Sequence, residues 1–147
     1  HHVQLLFKEI ARKRHYSIAC NPRYSISGSS PAWSLRYLEP DLVVYKDDCQ
    51  YIIDAKYKSH MFNREKISGD LKESFRSDLH QVLAYSSFGI NPNKQAILVY
   101  PAPRFISQKL QISNPLTRAF TDVHLVGISW NIASIEDTKL ELGKLID

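Results

Sequence analysis

The stretch that decides the fold runs from Pro40 to Lys56 and reads P-D-L-V-V-Y-K-D-D-C-Q-Y-I-I-D-A-K. It contains two short apolar runs, Leu42–Tyr45 and Tyr51–Ile53, which are rich in the β-branched and aromatic residues that strands favour. The polar residues 46–48 lie between the two runs and have the composition of a turn. The sequence therefore predicts a β-hairpin of two antiparallel strands.

Acidic residues flank this hairpin at its open end. Asp41 opens the first predicted strand and Asp54 closes the second, so antiparallel pairing brings the two carboxylates together. Lys56 follows Asp54 by two positions, and strand side chains alternate between faces, so Lys56 points to the same face as Asp54 while Ala55 points away. Two acids and a lysine are thus predicted to converge at one site.

This combination of charges suits a divalent cation. Two nearby carboxylates repel each other unless a cation lies between them, and their hard oxygen atoms are the ligands that magnesium and manganese prefer. A lysine beside such a pair can stabilise negative charge that develops during a reaction, or help to orient a water molecule. The chemistry favoured is metal-assisted hydrolysis of a phosphodiester. A single Asp-x-Lys sequence at a strand end is otherwise typical of a solvated salt bridge.

A second group of polar residues is predicted to lie on a helix. Apolar residues recur at helical spacing from Gly69 to Phe88. At the edge of this apolar face Asp78, Gln81 and Tyr85 form a polar stripe, in which Gln81 and Tyr85 are one turn apart and point the same way. An amide and a phenol in this arrangement can hydrogen-bond a phosphate or a metal-bound water.

The remaining periodicity completes a mixed α/β pattern of helix, three strands, helix, strand, strand. The strand predicted after the second helix is expected to run parallel to a hairpin strand, because a right-handed crossover connects them. The further predicted elements are a helix from Val3 to Arg14, strands at Trp33–Leu38, Gln95–Tyr100 and Val123–Trp130, a short strand near Lys109–Ile112, and a terminal helix at Ile135–Ile146.

Composition excludes several classes of protein. At 147 residues, with 44% of them hydrophobic, the chain is long enough for one domain with a buried core. The formal charge of +4 suits a polyanionic partner without requiring one. Two cysteines are too few for a disulfide framework, so free thiols and a cytoplasmic location are expected. No apolar run approaches the ~20 residues of a membrane helix, so no membrane partner is expected.

The quoted motifs resemble those of a known group of nucleases. Pro40-Asp41 with Asp54-Ala55-Lys56 resembles the active-site motif of the PD-(D/E)xK nuclease superfamily, and Gln81 and Tyr85 match the Q-x-x-x-Y motif of one of its branches. The resemblance spans residues 3–131. The phrases P-D-L-V-V, I-I-D-A-K-Y-K, D-L-H-Q-V-L-A-Y and A-I-L-V-Y-P are most similar to the McrC-like nuclease subunits of modification-dependent restriction systems.

This resemblance implies a fold and a set of residue roles. The fold is a restriction-endonuclease-like core, a mixed central β-sheet flanked by helices in the order αβββαββ. Asp41, Asp54 and the backbone carbonyl of Ala55 would hold Mg²⁺, for which Mn²⁺ can substitute. Lys56 would assist the attacking water or stabilise the charge on phosphate. The resemblance assigns Gln81 and Tyr85 to positioning the phosphate or the water.

The same resemblance suggests further binding residues. In this superfamily an acid on the first helix often joins the metal site through water, and Glu9 is the candidate here; the alternative is a surface glutamate paired with a lysine. Lys58, Arg64 and Lys66 follow directly from the predicted site and could contact a nucleic-acid backbone. A solvated polar loop is the alternative for these three cations.

The resemblance also implies partners. The expected partners are DNA, an AAA+ GTPase motor subunit of the McrB type, and a second copy of the chain where both DNA strands are cut. Residues 1–147 are then a single nuclease domain of a longer chain, since family proteins carry an additional amino-terminal region. Two alternatives stay open: a DNA-binding or assembly module of this fold without activity in isolation, and a related nuclease that acts on RNA or branched DNA.

Overall fold

The computed structural model describes residues 2–25, 37–56, 69–87 and 93–147. The helices are α1 (His2–Arg14), α2 (Gly69–Ser86) and α3 (Ile135–Leu145), with a 3-10 turn at Ile132–Ser134 before α3. The strands are β1 (Ser17–Cys20), β2 (Tyr24–Ser25), β3 (Tyr37–Leu38), β4 (Leu42–Lys46), β5 (Cys49–Ala55), β6 (Asn93–Pro101), β7 (Ile106–Ser113) and β8 (Phe120–Ile128).

One mixed sheet organises these elements. It has six strands in the order β1-β4-β5-β6-β8-β7, and the short strands β2 and β3 pair separately. Strands β5, β6 and β8 are parallel neighbours, whereas β1 and β7 pair antiparallel to β4 and β8 at the two edges. The predicted mixed α/β class is confirmed, as is the parallel pairing of β6 with a hairpin strand.

The hairpin forms as predicted. Its register runs from Leu42 opposite Ile53 to Lys46 opposite Cys49, so that only two residues, 47 and 48, make the turn. Asp47 has a φ of 49°, in the left-handed region that tight hairpin turns require and that Asp tolerates better than most residues. The short turn leaves one register for the two strands.

The two faces of the sheet bury different sets of residues. One face packs against α2 through Val43 of β4, Ile52 of β5, and Leu98 and Tyr100 of β6. The other face packs against α1 and α3 through the intervening residues, among them Leu42, Val44, Tyr51, Ile53, Ile97 and Val99. Because strand side chains alternate, Asp41 shares the face of Val43, and Asp54 shares the face of Ile52. Both acids therefore lie on the α2 face.

The strand predicted before the hairpin is present in its described part but lies outside the main sheet. Its described part, Tyr37–Leu38, pairs with Tyr24–Ser25 outside the main sheet, and residues 33–36 lie outside the described residues. The place next to β4 is taken by β1. This strand begins directly after α1, where His15 has a φ of 58° and the Tyr16 N–H bonds to the Ala11 carbonyl. A glycine usually marks such a helix end, and the sequence has none there.

The carboxyl-terminal elements extend the predicted pattern. Strand β7 is longer than the predicted segment, and α3 confirms the predicted terminal helix. The helices and the strands of the main sheet thus follow each other as α1, β1, β4, β5, α2, β6, β7, β8 and α3. Compared with the order αβββαββ, this sequence of elements has one more strand and one more helix. None of the helices in the described part of the chain combines the length and the apolar character needed to cross a membrane.

Candidate active site

Asp41 and Asp54 meet at the open end of the hairpin. Continuing the β4–β5 register by one place sets Asp41 opposite Asp54. The Oδ2 atom of Asp41 accepts a hydrogen bond of 2.7 Å from the Ala55 N–H. The side chain of the first acid is thereby attached to the strand that carries the second. The structure brings the two predicted carboxylates together.

The backbone of Asp41 is held from the other side of the sheet. Its carbonyl oxygen accepts hydrogen bonds from the Asn21 N–H at 2.8 Å and from Gln4 Nε2 at 3.0 Å. Gln4 also donates to Asn21 Oδ1 at 2.9 Å, and Asn21 has a φ of 49°. Neither residue could be predicted from the sequence, because both contact Asp41 across long separations along the chain. The only local signal is that Asn tolerates the left-handed conformation.

Asp54 is a buried acid that pairs with Lys56. Its residue surface is 5% exposed. Burial raises the pKa of Asp54, and Lys56 opposes this shift. Lys56 Nζ lies 2.5 Å from Asp54 Oδ2 as an ion pair, yet that buried oxygen receives no hydrogen bond of normal geometry from the described residues. The ammonium offsets part of the cost of burying this carboxylate, and the carboxylate keeps further acceptor sites that a metal cation can contact.

Lys56 is fixed at both ends. Its backbone N–H donates to the Val99 carbonyl of β6 at 2.8 Å. Its ammonium donates to Gln81 Oε1 of α2 at 2.5 Å and lies 3.9 Å from Asp78 Oδ1. The side chain therefore spans from the sheet to the helix that covers it, and it shares the face of Asp54 as the strand period predicted.

The polar stripe of α2 makes one part-buried and one buried hydrogen bond. Gln81 Nε2 donates to the Tyr85 hydroxyl at 2.8 Å, so the two residues of the Q-x-x-x-Y sequence are in contact. Burial raises the pKa of the Tyr85 phenol, with Gln81 opposing, so Tyr85 stays protonated at neutral pH. The Tyr100 hydroxyl of β6 donates to Asp78 Oδ2 at 2.9 Å. Burial and the Asp78 carboxylate raise the pKa of Tyr100, which keeps this donor protonated.

The backbone at Ala55 offers one more oxygen. Because the Lys56 N–H points to β6 and the Ala55 N–H points to Asp41, the Ala55 carbonyl of an extended strand faces the β4 side. Continuing the register sets Pro40 opposite Ala55. Proline has no N–H, so the ladder supplies no backbone donor to this carbonyl from that position.

The donor set has the chemistry of a site for a hard divalent cation. It comprises the carboxylates of Asp41 and Asp54, of which Asp54 Oδ2 is buried and receives no hydrogen bond of normal geometry from the described part of the chain, and the Ala55 carbonyl. Magnesium uses one or two carboxylates and completes its shell with water and phosphate oxygens. The described residues contain no cluster of three or more His, Cys, Asp or Glu side chains able to hold a metal. The site fits an ion that keeps open positions for substrate.

Other predicted residues are placed elsewhere. Glu9 lies on α1, across the sheet from α2, and its Oε2 atom is 2.6 Å from Lys139 Nζ of α3. This hydrogen bond and the charge of Lys139 lower the pKa of Glu9. The structure thus pairs Glu9 with a lysine instead of bringing it to the two acids. Lys58, Arg64 and Lys66 lie outside the described residues.

Fold and site together define a mixed α/β protein with an acid–lysine centre at the end of a central hairpin. The family model for the "McrBC 5-methylcytosine restriction system component" matches residues 3–101. The chain belongs to this family. No curated protein sequence matches the chain.

Comparison with solved structures supports the fold. A chain of the refined half-complex from a tetradecameric assembly of Thermococcus gammatolerans McrB AAA+ hexamers with bound McrC is similar to this protein, with a TM-score of 0.53 and 14% sequence identity. The similarity covers 95% of this chain. It covers 31% of the matched chain, so the protein spans about a third of that chain's length.

Replacing Asp54 with Asn removes a charge that burial disfavours. The folded-state pKa of Asp54 is raised above the ordinary value of 3.8, so the ionised carboxylate reduces stability above its folded-state pKa. Below about pH 4 the acid is neutral in both states and this difference is lost. We expect Asp54→Asn protein to have a higher free energy of unfolding than wild type at pH 7 in EDTA, with the gap closing in acid. Urea titrations measure it.

The control for this experiment is Asp48→Asn, which removes an exposed acid at the other end of the same hairpin. For this control variant, the change in the free energy of unfolding between pH 7 and acidic pH should be close to the change measured for wild type. An Asp54→Asn protein less stable than wild type at pH 7 would contradict the inferred cost of the buried charge.

Replacing Gln4 with Leu tests how Asp41 is held. The change removes the side-chain donor to the Asp41 carbonyl and to Asn21, and each net hydrogen bond contributes ~1 kcal/mol. We expect the free energy of unfolding to fall by about 1–2 kcal/mol. Lys8→Leu, at an exposed position of the same helix, should change it little. Equal stabilities of the two variants would show that Gln4 does not anchor the acid.

Proposed function

We propose that this chain is a nuclease domain of the PD-(D/E)xK type that uses Mg²⁺ to hydrolyse phosphodiester bonds in DNA. The observation that carries the proposal is the convergence of Asp41, Asp54 and Lys56 on one sheet face, with the Lys56 ammonium paired to Oδ2 of the buried Asp54. Membership of a restriction-system family supports DNA as the substrate.

The residues have two proposed roles, which are binding of a divalent ion and stabilisation of negative charge on the phosphate. Asp41, Asp54 and the Ala55 carbonyl would hold Mg²⁺ or Mn²⁺. Such an ion, when bound, supplies Lewis-acid polarisation of a phosphate and lowers the pKa of coordinated water. The ammonium of Lys56 stabilises the negative charge that builds on phosphate oxygens as water attacks phosphorus. Because Lys56 is only 15% exposed, this charge acts where water screens it weakly.

The amide of Gln81 fixes the orientation of its neighbours. Its oxygen accepts from Lys56 and its nitrogen donates to the Tyr85 hydroxyl oxygen. The proton of the Tyr85 hydroxyl can then be directed toward a phosphate oxygen or the attacking water. The phosphate-positioning role suggested by the Q-x-x-x-Y resemblance is thus assigned to Tyr85 directly, and to Gln81 mainly through Lys56.

The proposed partner is an AAA+ GTPase motor of the McrB type. The solved complex similar in fold to this protein contains McrB AAA+ hexamers and McrC. A motor that moves along DNA would bring DNA to the hydrolytic site. One such site cuts one strand, so we propose that a double-strand break uses a second copy of the chain or a second cut.

The proposal is tested by Asp54→Ala and Lys56→Ala, with Asp48→Ala and Lys46→Ala at the turn of the same hairpin as matched controls. We expect wild type and both controls to cleave plasmid DNA with Mg²⁺ or Mn²⁺. Each site variant should be at least about 100-fold slower, the size of effect that loss of one electrostatic stabiliser has. The initial rate of supercoiled plasmid loss measures this.

A second readout separates metal binding from cleavage. Mn²⁺ should raise the melting temperature of wild type, since a ligand of the folded state stabilises it, and should have little effect on Asp54→Ala. Cleavage unchanged in either site variant would overturn the assignment. A protein that binds Mn²⁺ and DNA without cutting would instead be a binding or assembly module. Linear, single-stranded, branched and RNA substrates distinguish the related nucleases.

A further inference from the structure

We propose that Asp78, fixed by Tyr100, is a positioning residue that holds the Lys56 ammonium in place when a divalent ion occupies Asp54. This inference rests on the proposed function and assigns a role to a residue pair outside the motif. Asp78 lies on α2, and Tyr100 lies on β6, the strand next to the one that leads to Lys56.

The two oxygens of Asp78 face different groups. Oδ2 accepts the hydrogen bond of Tyr100, and Oδ1 lies 3.9 Å from Lys56 Nζ. Tyr100 is fully buried in the core between the sheet and α2, and Asp78 is 4% exposed. A carboxylate held in this way by a rigid core residue keeps one oxygen directed at the lysine. A buried carboxylate needs such partners, because burying a charge without them is costly.

Charge gives Asp78 a role that Gln81 does not fill. In the structure Lys56 forms its shortest ion pair with Asp54, which is also a proposed ligand of the ion. A divalent ion bound to Asp54 competes for the same carboxylate and repels the ammonium. Gln81 offers a hydrogen bond but no charge, whereas Asp78 offers a full negative charge on a group not assigned to the ion.

The charges of the cluster also balance. Counted over the described residues, the three carboxylates of Asp41, Asp54 and Asp78 and the ammonium of Lys56 carry a net charge of two negative units. One divalent cation neutralises them. Without Asp78, the positive charge of the ion and the ammonium together would exceed the negative charge of the two remaining carboxylates. The ammonium of Lys56 would then be repelled from the site. Asp78 thus lets the ion and the lysine occupy the site together.

The experiment compares Asp78→Asn and Tyr100→Phe with Glu73→Gln, an exposed acid on the same helix that pairs with Arg76. We expect Asp78→Asn to lower kcat for DNA cleavage about 10- to 100-fold with little change in KM, as loss of an outer partner of a catalytic group does. Tyr100→Phe keeps the charge and loses the bond that directs it, so its fall in kcat should be smaller. Glu73→Gln should match wild type.

A double-mutant cycle with Lys56→Met shows whether Asp78 acts through the lysine. In the Lys56→Met background, Asp78→Asn should slow the residual cleavage no further. In metal-free protein, the shift in melting temperature caused by Asp78→Asn should differ between the wild-type and Lys56→Met backgrounds. A purely structural Asp78 would give equal shifts in both backgrounds and leave kcat of the folded protein unchanged.

The outcomes separate this inference from the proposed function. Equal temperature shifts in the two backgrounds overturn the role of Asp78, even in a protein that cleaves DNA. An unchanged kcat in both Asp78→Asn and Tyr100→Phe overturns it as well. Wild-type protein that fails to cleave DNA with any divalent ion, while the stability coupling is present, overturns the proposed function and leaves the pairing of Asp78 with Lys56 standing.

Discussion

The register of the β4–β5 hairpin is the constraint on which the rest of the site depends. With Leu42 opposite Ile53, both Asp41 and Asp54 point to the face covered by α2. A slip of one residue in either strand would move its acid to the opposite face, against α1. The two-residue turn at one end opposes such a slip, and the bond from the Ala55 N–H to Asp41 opposes it at the other.

The end of the hairpin also combines a proline with an acid. Continuing the register sets Pro40 opposite Ala55, and proline has no N–H to donate to the Ala55 carbonyl. The neighbouring residue, Asp41, accepts the Ala55 N–H through its side-chain carboxylate. The strand geometry at this end of the sheet thus places carboxylate and carbonyl oxygens close together.

The hairpin, the two long helices and β6 could be predicted from the sequence because each has a strong local pattern. Strand β1 could not, since its Ser-Ile-Ala-Cys sequence is short and follows a helix end that no glycine marks. The acids and Lys56 were found because strand period and spacing place them. Gln4 and Asn21 were not, because their contacts with Asp41 depend on how α1 and β1 pack. Glu9 was assigned to the metal site by resemblance alone. It lies on α1, on the face of the sheet that also carries α3, and there it pairs with Lys139.

The site is built from both layers of the fold, although its charged groups share one face. Gln4 reaches Asp41 from the α1 layer, and Asp78 and Gln81 reach Lys56 from the α2 layer. Burying the charge of Asp54 reduces the stability of the fold in this region. The side chains that hold the site therefore come from helices and strands that the hydrophobic core already fixes in place. Tyr100 illustrates the point: it is a core residue by burial, and its hydroxyl orients a carboxylate. A motif of three residues therefore specifies the chemistry, while the packing of two helices on the sheet specifies its geometry.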